Sequence, residues 1–226
     1  MDMLARLYDR LERKRHALRY LFFEITRACN LRCLHCGSDC DTTSRGREID
    51  TESWGRIVRY VAAKYPGVFV VLTGGEPLLH PELFRITESL SDAGLAFGAV
   101  TNGTRLSEST LATLIDHGLS GITVSLDGPE EVHDWLRNRR GTFRKTLSTL
   151  KLISSHRMRH ADVVTCVTPR VLERLDETAE IVMASGIAEW RLFRIFPAGR
   201  ARGNRELLLD YDETQRLLTW IEGARR

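Results

Sequence analysis

Four of the five cysteines in this 226-residue chain, Cys29, Cys33, Cys36 and Cys40, fall within twelve residues, and only Cys166 stands apart. An odd count argues against a disulfide scaffold. In a reducing compartment such a group is available as thiolate ligands, so the chemistry it suggests is metal or cluster binding. The spacing Cys29-x-x-x-Cys33-x-x-Cys36 is the sharpest feature. Three thiolates on one short loop can hold three irons of a [4Fe-4S] cube and leave the fourth without a protein ligand. An open metal position is what separates a catalytic from a structural site. Zinc held by all four cysteines is the weaker reading, because structural zinc usually takes two ligand pairs separated by a longer segment. Cysteines serving as small hydrophobes would not explain four so close together in a polar loop.

A series of alternating elements must position that loop. Leu21 to Thr26 reads as a strand, and Asp50 caps a helix with apolar residues at Trp54, Ile57, Val58, Val61 and Ala62. Strands follow at 68–72, 95–101, 122–126, 161–168 and 189–196. Helices are expected from Pro81 to Gly94, from Ser107 to Gly118, from a Thr142 cap, from Leu172 to Gly186 and from Glu213 to Gly223. Six strands alternating with helices predict an α/β fold of parallel strands joined by right-handed crossovers. Six units are too few for a closed eight-stranded barrel, so an open barrel or curved sheet is expected.

In such folds the site lies at the carboxyl ends of the strands. There the sequence carries the cysteine loop, then Gly74-Gly75-Glu76-Pro77, Thr101-Asn102-Gly103, Ser125-Leu126-Asp127-Gly128 and Pro197-Ala198-Gly199. These segments, scattered along the chain, are expected to meet at one mouth.

The 33 basic and 30 acidic residues give a net charge of +3, too balanced for nucleic acid to be the default partner. No apolar run approaches the roughly 20 residues that span a bilayer, and the start has no apolar signal region. A soluble cytoplasmic protein without membrane or nucleic-acid partners is the expectation. Residues 3–19 read as a basic amphipathic helix with Leu4, Leu7, Tyr8 and Leu11 on one face, expected to pack on the domain. The division is thus 1–20 as a leading helix and 21–226 as one core.

The motif Cys29-Asn30-Leu31-Arg32-Cys33-Leu34-His35-Cys36, preceded by Phe23-Glu24-Ile25-Thr26, resembles the signature loop of the radical S-adenosylmethionine (SAM) enzymes. The resemblance extends in order through Gly74-Gly75-Glu76-Pro77-Leu78, Thr101-Asn102-Gly103, Ser125-Leu126-Asp127-Gly128, His133-Asp134-x-x-Arg137 and Gly141-Thr142-Phe143. It implies a partial (β/α)6 TIM-like barrel in which Cys29, Cys33 and Cys36 bind a [4Fe-4S] cluster whose fourth iron is chelated by SAM. One electron then cleaves SAM reductively to a 5′-deoxyadenosyl radical, which abstracts a substrate hydrogen. A low-potential flavodoxin or ferredoxin is the implied electron donor.

Carried over residue by residue, Gly74, Gly75 and Glu76, within the segment ending at Pro77, would receive the SAM amino group; Glu76 could instead cap the following turn. Ser125 resembles a ribose contact or is a satisfied hydroxyl at a strand end. Arg137 resembles the arginine that pairs with the SAM carboxylate, or is one of several solvated arginines. Asn102 positions SAM or serves its turn, His35 shapes the adenine pocket, and Asp127 faces the mouth toward ribose or substrate. Cys40 is extra and is taken as a bystander; Cys166 is expected as a buried small hydrophobe.

The likeness is greatest to the branch that modifies peptides and proteins, whose members usually carry a cysteine-rich extension. This sequence has no cysteine after Cys166, so the expectation is a minimal enzyme or a core cut from a longer one. A peptide or protein substrate is expected, and Arg200, Arg202 and Arg205 could suit an acidic peptide or simply be solvated. The alternatives are a small molecule or tetrapyrrole intermediate on the same core, or a non-catalytic metal-binding interaction module.

Overall fold

The β-branched runs between capped helices form six parallel strands in a computed structural model that describes residues 3–5, 8, 11, 17–43, 48–156 and 158–225. They are β1 (Tyr20–Thr26), β2 (Phe69–Gly74), β3 (Phe97–Thr101), β4 (Leu119–Ser125), β5 (His160–Val167) and β6 (Glu189–Arg194). The sheet order is β1-β2-β3-β4-β5-β6, with each strand parallel to the next. The sheet stays open, with β1 and β6 as its two edges.

Helices cover one face: α1 (Thr51–Lys64), α2 (Leu83–Asp92), α3 (Glu108–Asp116), α4 (Glu130–Leu136), α5 (Thr142–Ser155), α6 (Pro169–Leu172), α7 (Leu175–Ala184) and α8 (Tyr211–Ala224). Period-two alternation directs the strands. In β1, Phe23 and Ile25 are buried under the helices while Phe22 and Glu24 are exposed on the other face. Val70, Leu72, Phe97, Ile122, Val124 and Val163 continue the same layer against Val58, Ile86, Leu90, Leu111 and Leu150. Each such buried side chain contributes about 1.5–3 kcal/mol. Stability therefore resides in the strand–helix layer and leaves the strand ends free for chemistry.

Several helix starts follow the side-chain logic of the sequence. Asp50 accepts a hydrogen bond from the Ser53 amide at 2.8 Å, Ser107 accepts one from Thr110, and Asp210 forms a reciprocal capping box with Glu213. Three expectations are corrected. Thr142 is the first residue of α5 and does not cap it. The cap comes from Asp134 in α4, a helix that the sequence reading did not place: its carboxylate accepts from the amides of Gly141 (2.5 Å) and Phe143 (2.8 Å) and the hydroxyl of Thr142 (2.7 Å). Burial pushes the Asp134 carboxyl up, but these donors outweigh it and the net shift is down. The expected helix from Leu172 to Gly186 is shorter, as α7, and follows a separate short helix, α6, that begins at a Thr168 cap and Pro169.

The third correction concerns the start of the chain. Residues 3–5, 8 and 11 are helical and 17–19 are not. Leu4, Tyr8 and Leu11, expected to face the domain, are exposed, and the Tyr8 hydroxyl accepts a hydrogen bond from Arg19 at 3.2 Å. Leu7 lies outside the described residues. No helix among the described residues is long and apolar enough to cross a membrane.

Because Asp134 serves three donors of the neighbouring helix, Asp134→Ala is expected to lower unfolding free energy by about 2 kcal/mol. Urea denaturation followed by circular dichroism measures this, and an unchanged midpoint would contradict the capping role.

Candidate active site

Strand β1 ends where β2 has no side chains, and this seats the cysteine loop. The Gly75 amide donates to Thr26 O at 2.8 Å and the Glu76 amide to Ala28 O at 2.9 Å. A Cβ on Gly74, whose φ is +126°, would lie 2.2 Å from Thr26 O, and one on Gly75 would lie 2.3 Å from Ala28 O. Only glycine permits this approach. The exits of β1 and β2 therefore meet backbone to backbone, and both glycines also line the cavity beside the cysteine loop. Across the loop, the Leu34 amide donates to Leu136 O at 2.9 Å and Arg139 Nη1 to Asn30 O at 2.8 Å.

The seated loop turns Cys29, Cys33, Cys36 and Cys40 into the wall of one cavity of about 260 Å³. The ends of β2 (Thr73, Gly74 and following Gly75), β3 (Val100, Thr101, then Asn102) and β4 (Ser125) complete it. Amides address two of the sulfurs: Leu31 N donates to Cys29 Sγ and Cys40 N to Cys36 Sγ, both at 3.4 Å. Burial pushes the Cys29 thiol up to about 12 and raises Cys33 as well. These thiols stay protonated at neutral pH until a metal displaces the proton. A larger concavity, about 900 Å³, lies over Trp135 and Arg139 on the outer surface, meets the cysteine loop only at Leu34, and contains no thiol.

Behind Cys33 lies a buried ion pair. Arg137 Nε donates to Asp127 Oδ2 at 2.6 Å while Nη1 points to Cys33 Sγ at 3.8 Å. Asp127 is fully buried and also accepts from the Cys166 amide at 2.9 Å. Burial alone would raise the Asp127 pKa; the Arg137 guanidinium, the nearby His35 and His133 and the hydrogen bond from the Cys166 amide together outweigh it and hold the carboxyl below its usual range. A buried pair of this kind loses about 3–5 kcal/mol when one partner is removed. Asp127 therefore fixes the fork of Arg137 against the cavity.

His133, which the sequence reading did not single out as a site residue, supports the same pair. Its Nδ1 accepts from the Asp127 amide at 3.1 Å, and burial lowers its pKa to about 4. The ring is therefore neutral, and its 4.0 Å approach to Asp127 Oδ2 is not an ion pair.

The expected site residues thus divide. Cys29, Cys33, Cys36, His35, Gly74, Gly75, Asn102, Ser125 and Arg137 line one cavity. Asn102 is held by Asn30 Oδ1 at 2.9 Å and accepts from Thr104. Glu76, Pro77 and Asp127 are not in its wall. The Glu76 carboxylate accepts from Thr101 Oγ1 (2.8 Å), Asn102 N (2.8 Å) and Leu78 N (3.2 Å), so it ties β3 to the turn that Pro77 opens. Asp127 faces Arg137 and not the mouth. Cys40, taken as a bystander, is buried in the cavity wall. Cys166 is only partly buried, against Leu136, Ala201 and Leu207. Arg200, expected either to suit an acidic peptide or to be solvated, also lines the cavity.

The donor set fits an iron–sulfur cluster. Among the described residues no three His, Cys, Asp or Glu side chains converge on a point that would hold a single metal ion. Cys29, Cys33 and Cys36 instead line a cavity of about 260 Å³. His35 Nδ1 is buried in the wall without a hydrogen-bond partner among the described residues, a polar atom available to a bound molecule.

Residues 23–182 match the radical SAM superfamily. The chain belongs to that superfamily. Radical SAM enzymes use a [4Fe-4S] cluster and SAM, which agrees with the thiols found here. An AdoMet-dependent heme synthase of Methanosarcina barkeri is 32% identical over 212 residues, covering 91% of this chain and 58% of that protein. Mycofactocin maturase MftC of Mycolicibacterium smegmatis is 29% identical over 220 residues, covering 96% and 55%. This radical SAM chain spans little more than half the length of these relatives. Its fold matches anSMEcpe with bound AdoMet and Cp18Cys peptide at a TM-score of 0.77 and 21% identity, covering 91% and 58% of the two chains. It also matches Streptococcus suis SuiB bound to S-adenosylmethionine at 0.74 and 16%, covering 96% and 51%.

The neutral His133 makes stability of the radical SAM core depend on pH. Its pKa is about 4 when folded and about 6.5 when unfolded, so its contribution is complete above 6.5 and is lost as pH falls from 6.5 to 4. The loss is on the order of 3 kcal/mol. His35, lowered to about 4 mainly by burial, adds a slope of the same sign. Thermal melts of His133→Asn are expected to show a shallower decline than wild type over this window. An identical decline would exclude His133 as its source.

Proposed function

We propose that this chain is the SAM-cleaving core of a radical enzyme that abstracts hydrogen from a peptide or protein substrate. Cys29, Cys33 and Cys36 are the cluster ligands in this reading. The observation that carries it is the meeting of those three sulfurs, the ends of β2, β3 and β4, and the buried Arg137 in one cavity. When bound, the cluster and SAM supply one-electron chemistry. The chain's own residues do the positioning: Gly74 and Gly75 hold the loop, Asn102 and Ser125 offer polar groups, and Arg137, held by Asp127, would pair with the SAM carboxylate. The electron donor is a low-potential flavodoxin or ferredoxin.

Two relatives named for peptide chemistry support the substrate class, mycofactocin maturase MftC of Mycolicibacterium smegmatis and PqqA peptide cyclase of Bradyrhizobium diazoefficiens, the latter 31% identical over 133 residues. A tetrapyrrole substrate is the second reading, favoured by the heme synthase of Methanosarcina barkeri.

The test begins with anaerobic reconstitution with iron and sulfide, dithionite reduction and addition of SAM. Formation of 5′-deoxyadenosine is expected, with the EPR spectrum of the reduced cluster perturbed by SAM. A cluster indifferent to SAM, or zinc in place of iron, would overturn the reading. Cys33→Ala is expected to lose both iron and 5′-deoxyadenosine, whereas Cys40→Ala keeps both; iron loss in Cys40→Ala would reassign the ligands. Peptide and tetrapyrrole candidates are then separated by which one takes up or donates deuterium to 5′-deoxyadenosine.

A further inference from the structure

The loop after β6 reaches across the open side of the sheet to grip the cysteine loop. A Cβ on Gly199, whose φ is +53°, would lie 2.3 Å from Cys36 O and 2.4 Å from Gly37 O, so the two loops touch backbone to backbone. The Arg200 amide donates to Cys36 O at 3.0 Å. Its side chain then spreads over the rest of the loop. Nε donates to Cys33 O at 2.7 Å, Nη2 to Cys40 O at 3.0 Å, and Nη1 pairs with Asp39 Oδ1 at 2.5 Å. One residue, separated from these partners by 160 or more positions, thus engages Cys33, Cys36, Asp39 and Cys40. It is the second side of the clamp whose first side is Gly74-Gly75, and its side chain is only 15% exposed. Arg202 and Arg205 in the same segment are exposed, so the basic character expected of this loop is divided between an inward clamp and a solvated surface.

We propose that Arg200 is a positioning residue that locks the cysteine loop into its cluster-binding shape and sets a cation beside the cluster. The inference rests on Cys29, Cys33 and Cys36 being the cluster ligands. A planar guanidinium can serve carbonyls and a carboxylate at once, whereas a lysine ammonium at the same place is a point charge without that fork. A cation in the wall favours the more negative, reduced form of a cluster, because hydrogen bonds and charge near the sulfurs set its potential. Asp39 offsets part of that charge.

The experiment compares wild type, Arg200→Met, Arg200→Lys and Asp39→Asn. In cluster-free protein, amide exchange at residues 33–40 is expected to be on the order of 10-fold faster in Arg200→Met, as loss of roughly one hydrogen bond's net free energy requires. Arg200→Lys is expected to stay fast. In the reconstituted protein, iron release to a chelator is expected to rise about 10- to 100-fold in Arg200→Met. The EPR-monitored midpoint potential is expected to fall in Arg200→Met, to return toward wild type in Arg200→Lys, and to rise in Asp39→Asn. The split in Arg200→Lys, with potential restored and loop protection lost, separates charge from fork. Exchange and iron release equal to wild type in Arg200→Met would overturn the clamp, and an unmoved potential would overturn the charge role. If the wild type takes up no cluster, the ligand assignment fails, while the exchange measurement still decides the clamp.

Discussion

The exit of β1 lies so close to the exit of β2 that no Cβ fits between them, and most of the site depends on that contact. With Gly74 and Gly75 pressed on Thr26 and Ala28, the chain leaves β1 in a direction that turns four cysteines toward one cavity. The same glycines carry the backbone into Glu76, whose buried carboxylate holds Thr101 and Asn102 and so brings the end of β3 to the rim. A side chain at either glycine would displace the loop that bears the thiols and the turn that orders its neighbour.

A second constraint is charge. Arg137 is buried because Asp127 is buried with it, and Asp127 is anchored by the amide of Cys166 and approached by a neutral His133. The arrangement holds a permanent cation against Cys33 at the cost of desolvating two ions. Buried networks of this kind persist where geometry matters more than stability. The apolar layer between sheet and helices supplies the stability that offsets it.

The open sheet adds a third requirement. A closed barrel would fix the relation of its first and last strands by hydrogen bonds, whereas here β1 and β6 are both edges. At the mouth the loop after β6 meets the cysteine loop directly, so the two ends of the sheet are joined by loop contacts and not by a ladder. The site is built across the gap that the fold leaves.

Much of this was legible in the sequence, because its carriers are local. Alternating strand and helix patterns, the Asp50 cap, the helix start at Ser107 and the Cys29, Cys33 and Cys36 spacing depend on neighbours along the chain, and they announced six parallel strands with a thiol loop at the end of the first. The tertiary structure alone decided which residues face the cavity and which stand behind it. Glu76 and Asp127 sit in motifs that looked like contacts, yet buried carboxylates must find donors, and the available donors were the amides and hydroxyls of other strands. Asp134 caps a helix eight residues away through a packing of two helices that no periodicity encodes. Arg200 was one of three arginines in a loop that suited either an acidic peptide or solvent, and only the folding of the sheet's last edge toward its first gave that side chain its partners.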